Sequence, residues 1–182
     1  MYRFANRCAE ITAVSLALAG GAVIILITAL TCISIIGRAF VPLELGIGPI
    51  LGIYDITEIG MAAAIFAFLP WAQLNDSHAR VDLFRDRIPF VMAAGLDLLF
   101  TMAMLVVASV GTWRLYLGMQ DKVAYGETTL IAQIPVWYGY AAGLVGASGF
   151  VLVSVFCVIR ALRRLAGYEV EPDIGRDSDV QP

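Results

Sequence analysis

The chain of 182 residues holds one histidine, His78, three cysteines and only 15% charged residues. Each scarcity excludes a class of chemistry. A b-type haem bundle needs axial pairs, and a His/Cys metal site needs clustered ligands; a lone histidine supplies neither, so no metal and no cofactor are expected. Cys8, Cys32 and Cys157 are scattered without C-x-x-C spacing, which removes dithiol redox chemistry and leaves them as small apolar side chains. With 12 basic against 15 acidic residues the net charge is −3. There is no basic surplus to neutralise phosphates, and nucleic-acid binding is a poor reading.

Apolar residues are what the sequence has instead: 60% of the chain, with a mean hydropathy of +0.83. Soluble domains run nearer half apolar and a quarter charged. About 20 apolar residues of helix cross roughly 30 Å of hydrocarbon, and four blocks reach that length, at about 11–37, 53–72, 88–113 and 135–159. Ala17-Leu18-Ala19 looks like a leader cleavage site, but the apolar run continues to Ile36, too long for a removed segment. Pro89 and Pro135 lie near the starts of the third and fourth helices, where proline is tolerated. The expectation is an all-α integral membrane protein: one four-helix domain over 1–167 and a disordered, acidic tail over 168–182. Of the basic residues, Arg3, Arg7, Arg80, Arg85, Arg87, Arg160, Arg163, Arg164 and Arg176 share one side of a four-span chain, and only Arg38, Arg114 and Lys122 lie opposite. Short basic loops stay inside, so both termini are expected in the cytoplasm.

Between helices 2 and 3, Val81, Leu83, Phe84 and Ile88 alternate with charges of both signs, as in a short segment lying flat on the inner leaflet. Asp97 falls about nine residues into helix 3. Either it relays a cation or proton, or it is structural, held by hydroxyls such as Thr28, Thr31 or Ser34 of helix 1 or by a partner. Asp55 and Glu58, spaced i,i+3 at the outer start of helix 2, are expected to pair with Arg38 or Arg114. Gly139, Gly143 and Gly146 make a small-residue surface for close helix packing, with Gly149 one turn on. None of this is a catalytic constellation. The residues describe a membrane subunit that serves a larger partner.

The order of motifs resembles a known family. Ile36-Gly37-Arg38 closing helix 1, Asp55-Ile56-Thr57-Glu58 opening helix 2, His78-Ala79-Arg80-Val81-Asp82-Leu83-Phe84 after it, Gly126-Glu127-Thr128-Thr129 and Ile134-Pro135-Val136-Trp137 together resemble the small permease (DctQ-like) subunit of tripartite ATP-independent periplasmic (TRAP) transporters. The connection with Pro42, Gly46, Gly48 and Pro49 is a departure, since it extends this loop. The resemblance implies a bacterial inner-membrane scaffold protein in a symport system for an organic acid. A large permease subunit would carry sodium and substrate, and a periplasmic solute-binding protein would deliver the acid. On that reading His78, Arg80, Val81, Asp82, Leu83 and Phe84 anchor to membrane lipid or contact a partner, and Arg38, Lys122 and Glu127 face the docked binding protein. The alternative is an autonomous four-helix ion-coupled carrier using Asp97. An oxidoreductase subunit is disfavoured by the missing histidine pairs.

Overall fold

The computed structural model describes residues 2–41, 48–75 and 90–166. Four helices make up these residues: α1 (Tyr2–Phe40), α2 (Ile53–Leu74), α3 (Phe90–Tyr125) and α4 (Trp137–Leu165). All four are long and apolar enough to cross a membrane. The protein is thus an all-helical, multi-pass membrane protein. Tyr2, Leu74, Phe90 and Leu165 lie at one end of the array, here the terminal end; the α1–α2 and α3–α4 connections lie at the other, the loop end. The segment 76–89 and the tail from residue 167 lie outside the described residues, and with them the anchoring segment from His78 to Phe84.

Helix lengths depart from the expected spans where nothing breaks the backbone. Helix α3 runs on to Tyr125, beyond the expected end near Trp113. Met119 to Tyr125 are polar in part but contain no proline or glycine, and a membrane boundary does not end a helix. The break comes at Gly126, whose φ of +62° is a left-handed conformation natural to glycine. At the other end of the chain α1 begins at Tyr2, not near residue 11, and Asn6 Nδ2 donates to Glu10 Oε1 at 2.9 Å in this added stretch. Helix α2 is the short one, with 22 residues or about 33 Å, close to the hydrocarbon thickness alone. Its ends mark the slab for the others.

Helix α4 is the hub. It packs along α2 and α3 and more lightly on α1; α1 packs mainly on α2. The order across the array is therefore α1–α2–α4–α3. Of the most apolar stretches of α1 and α3, 11% of residues are buried, against 56% for α4, so the two outer helices turn most of their apolar surface outward. In water this would be an aggregation hazard. In a bilayer it is the surface that lipid or a membrane partner covers.

The α2–α4 contact is backbone on backbone. Pro70 lies inside α2 and lacks the N–H that would bond the carbonyl of Phe66 one turn earlier. Gly146 of α4 meets that carbonyl: a Cβ on Gly146 would lie 2.5 Å from both the carbon and the oxygen of Phe66. Only glycine admits such an approach, and its Cα–H groups offer weak donors to the freed oxygen. Gly20 plays a milder part between α1 and α2, where a Cβ would come within 3.0 Å of Ala67 Cβ. At the terminal end Ala9, Ala13, Leu74, Val153, Phe156 and Cys157 form the buried apolar cluster.

Candidate functional site

The polar groups gather at the two ends of the array. At the loop end, Gly52 precedes α2 in a left-handed conformation, φ +75°, and its open Cα face lies against Ala132, whose Cβ is 2.6 Å from where a Gly52 Cβ would be. The turn it makes brings Asp55 under the α3–α4 connection. The N–H groups of Ile131 and Ala132 donate to Asp55 Oδ2 at 3.1 and 2.8 Å, and the Thr129 hydroxyl also reaches the carboxylate. Thr129 Oγ1 in turn accepts from Ile134 N–H at 3.0 Å. A bridge between Thr128 and Pro135, with Thr129 N–H donating to Ile134 O and Val136 N–H to Glu127 O, closes the connection into a tight loop. One carboxylate thereby fixes a loop 76 residues away in sequence.

This corrects the expected partners of the acidic pair. Asp55 is 9% exposed and is satisfied by backbone N–H groups, because the glycine turn delivers the loop, not an arginine, to its oxygens. Glu58 and Arg38 are exposed. Among the described residues Asp55 and Glu58 form no ion pair with Arg38 or Arg114. Lys122 and Glu127, each expected to face a partner, bond to one another across the end of α3 and stay partly exposed. Leu130, at the tip of the pinned loop, is 96% exposed.

At the terminal end, Arg160 of α4 is 7% exposed, and its Nη2 donates to the carbonyl of Leu74 at the last turn of α2, 3.4 Å away. A cation suits that position, where the carbonyls of a helix end carry partial negative charge. The Cys157 thiol lies 3.7 Å from the carbonyl of Gln73. Arg160 also lines a cleft between α3 and α4 with Asp97, Thr101 and Arg164, floored by Ala94, Cys157 and Ala161 and of about 20 Å³, room for one water.

The helix 1 hydroxyls expected to hold Asp97 are not its neighbours. Asp97 faces α4 and not α1, with which α3 makes little contact. Of those hydroxyls, Thr28 donates to Ile24 O one turn earlier at 2.8 Å, and Ser34 Oγ accepts from Ile50 N–H in the α1–α2 connection at 3.1 Å. The cleft joins Asp97 to Arg160, and Arg160 reaches the last turn of α2, so the carboxylate lies toward the terminal end of the array.

Of the four glycines on α4, Gly146 makes the backbone contact. Gly143 is close, with Phe66 Cδ2 at 3.2 Å from a Cβ there; Gly139 is loose, its nearest neighbour being Ile59 at 3.6 Å. Sequence reasoning gave no role to Gly52 or Pro70, named Thr129 only within a motif and not as a partner of Asp55, and used Arg160 only as a count of charge. Gly52 was the readable signal, a glycine three residues before a helix-start acid.

Fold and geometry together define a multi-pass α-helical membrane protein with its polar groups at the two ends of the array. The chain matches the family described as "Tripartite ATP-independent periplasmic transporters, DctQ component" over residues 27–167, and it belongs to that family. It is a transporter component and not an enzyme. No curated protein and no solved structure matches it.

Proposed function

We propose that this chain is the scaffold subunit of a sodium-coupled uptake system for an organic acid, in the bacterial inner membrane with both termini in the cytoplasm. It pairs with a large permease subunit, which carries substrate and sodium, and works with a periplasmic solute-binding protein. The observation that carries this reading is the packing of α4 on α2 through Gly146 and the Phe66 carbonyl. A contact between backbones has no slack for the sliding or rocking that a moving transport domain needs. Asp97 toward the terminal end of the array supports the same reading over an autonomous carrier, for which a carboxylate near the midplane would be wanted.

The segment from His78 to Phe84 serves as anchor: Arg80 with Arg85 and Arg87 lies toward anionic headgroups, and Val81, Leu83 and Phe84 enter the interface. Arg38, Lys122, Glu127 and the exposed Leu130 form the face toward the solute-binding protein. The test is affinity purification of the tagged chain from its native membrane. A large polytopic permease subunit should come with it, and deletion of this chain should abolish uptake while that subunit is still made. Arg80→Glu combined with Phe84→Ser should lower the amount of complex recovered, whereas His78→Ala should have little effect. Recovery of the chain only with itself would sink the scaffold reading.

A further inference from the structure

The two connections at the loop end meet, and each leaves apolar side chains open beside the point of contact. Gly52 lies against Ala132, whose Cβ is 2.6 Å from where a Gly52 Cβ would be. Leu51 precedes that contact on one connection, and Leu130 and Ile131 precede it on the other. They are 83%, 96% and 56% exposed. Apolar side chains left this open add nothing to the fold, whereas a partner that covered them would remove their area from water.

The backbone that carries them is fixed. On the first connection Ile50 N–H donates to Ser34 Oγ, and Gly48 O stands against the bare Cα of Gly37, 2.5 Å from where a Cβ would be. On the second, Asp55 holds the N–H groups of Ile131 and Ala132. The loop there closes around Gln133, a non-glycine residue at φ +52°, a conformation that persists where the surrounding structure enforces it. A protein that meets a fixed loop does not bear the entropy cost of ordering it. A lipid leaflet has no shape to match and gains nothing from such fixing.

Charge also separates a protein from a lipid as the occupant. Glu127, three residues before Leu130, bonds Lys122 in a partly exposed pair. Sinking Leu130 among acyl chains would draw that pair toward hydrocarbon, which charged groups resist. An apolar centre with charge at its margin is the anatomy of a contact between proteins.

We propose that Leu51, Leu130 and Ile131 form a preshaped apolar contact for the periplasmic solute-binding protein, and that Gly52 and Asp55 are positioning residues that hold its two halves together. This contact rests on the face proposed above for that protein and gives the face an apolar centre, with Lys122 and Glu127 at the margin.

The test holds the chain with its large permease subunit in nanodiscs and titrates the cognate solute-binding protein, fluorescently labelled, onto them. Leu130→Ser, at a side chain that touches almost nothing in the fold, should raise the Kd about tenfold. Asp55→Ala should raise it although Leu51 and Leu130 are both in place, and Asp55→Asn should do so less. Raising the salt concentration should change it less than Leu130→Ser does. In a second arm Leu130→Cys, with Cys8, Cys32 and Cys157 changed to alanine, carries an environment-sensitive dye whose emission should shift to the blue when the solute-binding protein is added. An unchanged Kd in Leu130→Ser, or a salt effect larger than that of the substitution, would overturn the apolar contact and leave the docking face standing. A dye already blue-shifted in nanodiscs alone would assign the tip to the leaflet and overturn the contact too. Equal binding to the large subunit without this chain would overturn the docking face together with it.

Discussion

Single atoms decide how close two helices come. Pro70 withholds a donor from the Phe66 carbonyl, and Gly146 presents a bare Cα to that same carbonyl; the two residues, on different helices, solve one problem. A side chain at Gly146 has no flexible neighbour to displace, since backbone is what it meets. Gly146→Leu should therefore cost at least about 1–3 kcal/mol, the usual penalty of overpacking, and lower the unfolding midpoint or the yield of folded chain. Gly139→Ala should stay within about 0.5 kcal/mol, because its nearest neighbours are at ordinary contact distance. Equal effects at the two positions would mean that α4 does not cross α2 where the geometry puts it. The spacing of these glycines was legible in the sequence as a packing surface. Which of them bears the contact was not, because that depends on where Pro70 of another helix falls opposite.

Helices end where the backbone is broken, and loops hold where something bonds them. That is why four apolar blocks could be read from the sequence while the limits of α1 and α3 could not: hydropathy reports the membrane, and polar helix-forming residues such as Gln120 and Lys122 continue the helix beyond it. The loop between α3 and α4 shows the second half of the rule. Its polar residues suggest an ordinary connection, yet Asp55 accepts two of its N–H groups. Asp55→Ala should free the loop and make cleavage near Leu130 by an added protease several-fold faster, and Asp55→Asn, which keeps one acceptor oxygen, should do so less. Unchanged cleavage in Asp55→Ala would show that the Thr128–Pro135 bridge holds the loop alone. Asp97 calls for a parallel pair of variants. Asp97→Asn keeps the shape and hydrogen-bonding capacity of the cleft wall and should leave uptake by the assembled transporter largely intact. Asp97→Leu removes a polar group beside two guanidiniums and should weaken assembly. Loss of uptake in the asparagine variant at normal complex levels would return Asp97 to the coupling role.

At the scale of the molecule, the order α1–α2–α4–α3 leaves the first and third helices at the edges with broad apolar faces. A chain so arranged is incomplete as a compact bundle and suited to widening a larger assembly. This order was not readable from the sequence, since sequential neighbours α2 and α3 are separated by α4, and only the glycines of α4 hinted at its central place. Orientation is a separate matter, set by charge rather than packing. The terminal end carries Arg160, Arg163 and Arg164 and the ends that lead into the linker with Arg80, Arg85 and Arg87, and the loop end carries only Arg38, Arg114 and Lys122. Charged loops of this length resist translocation, and the imbalance sets which end stays inside. A reporter joined after Arg164 should thus be active only as a cytoplasmic one, and a reporter placed at Gly126, the break after α3, only as a periplasmic one. Moving two arginines should weaken the bias: Arg163→Ser with Arg164→Ser leaves the linker's charge in place and should shift only a minor fraction of chains. A reversed pattern in the wild type would put Lys122 and Glu127 in the cytoplasm, out of reach of any periplasmic binding protein, and the face proposed for that contact would have to be given up while the packing of the four helices stood.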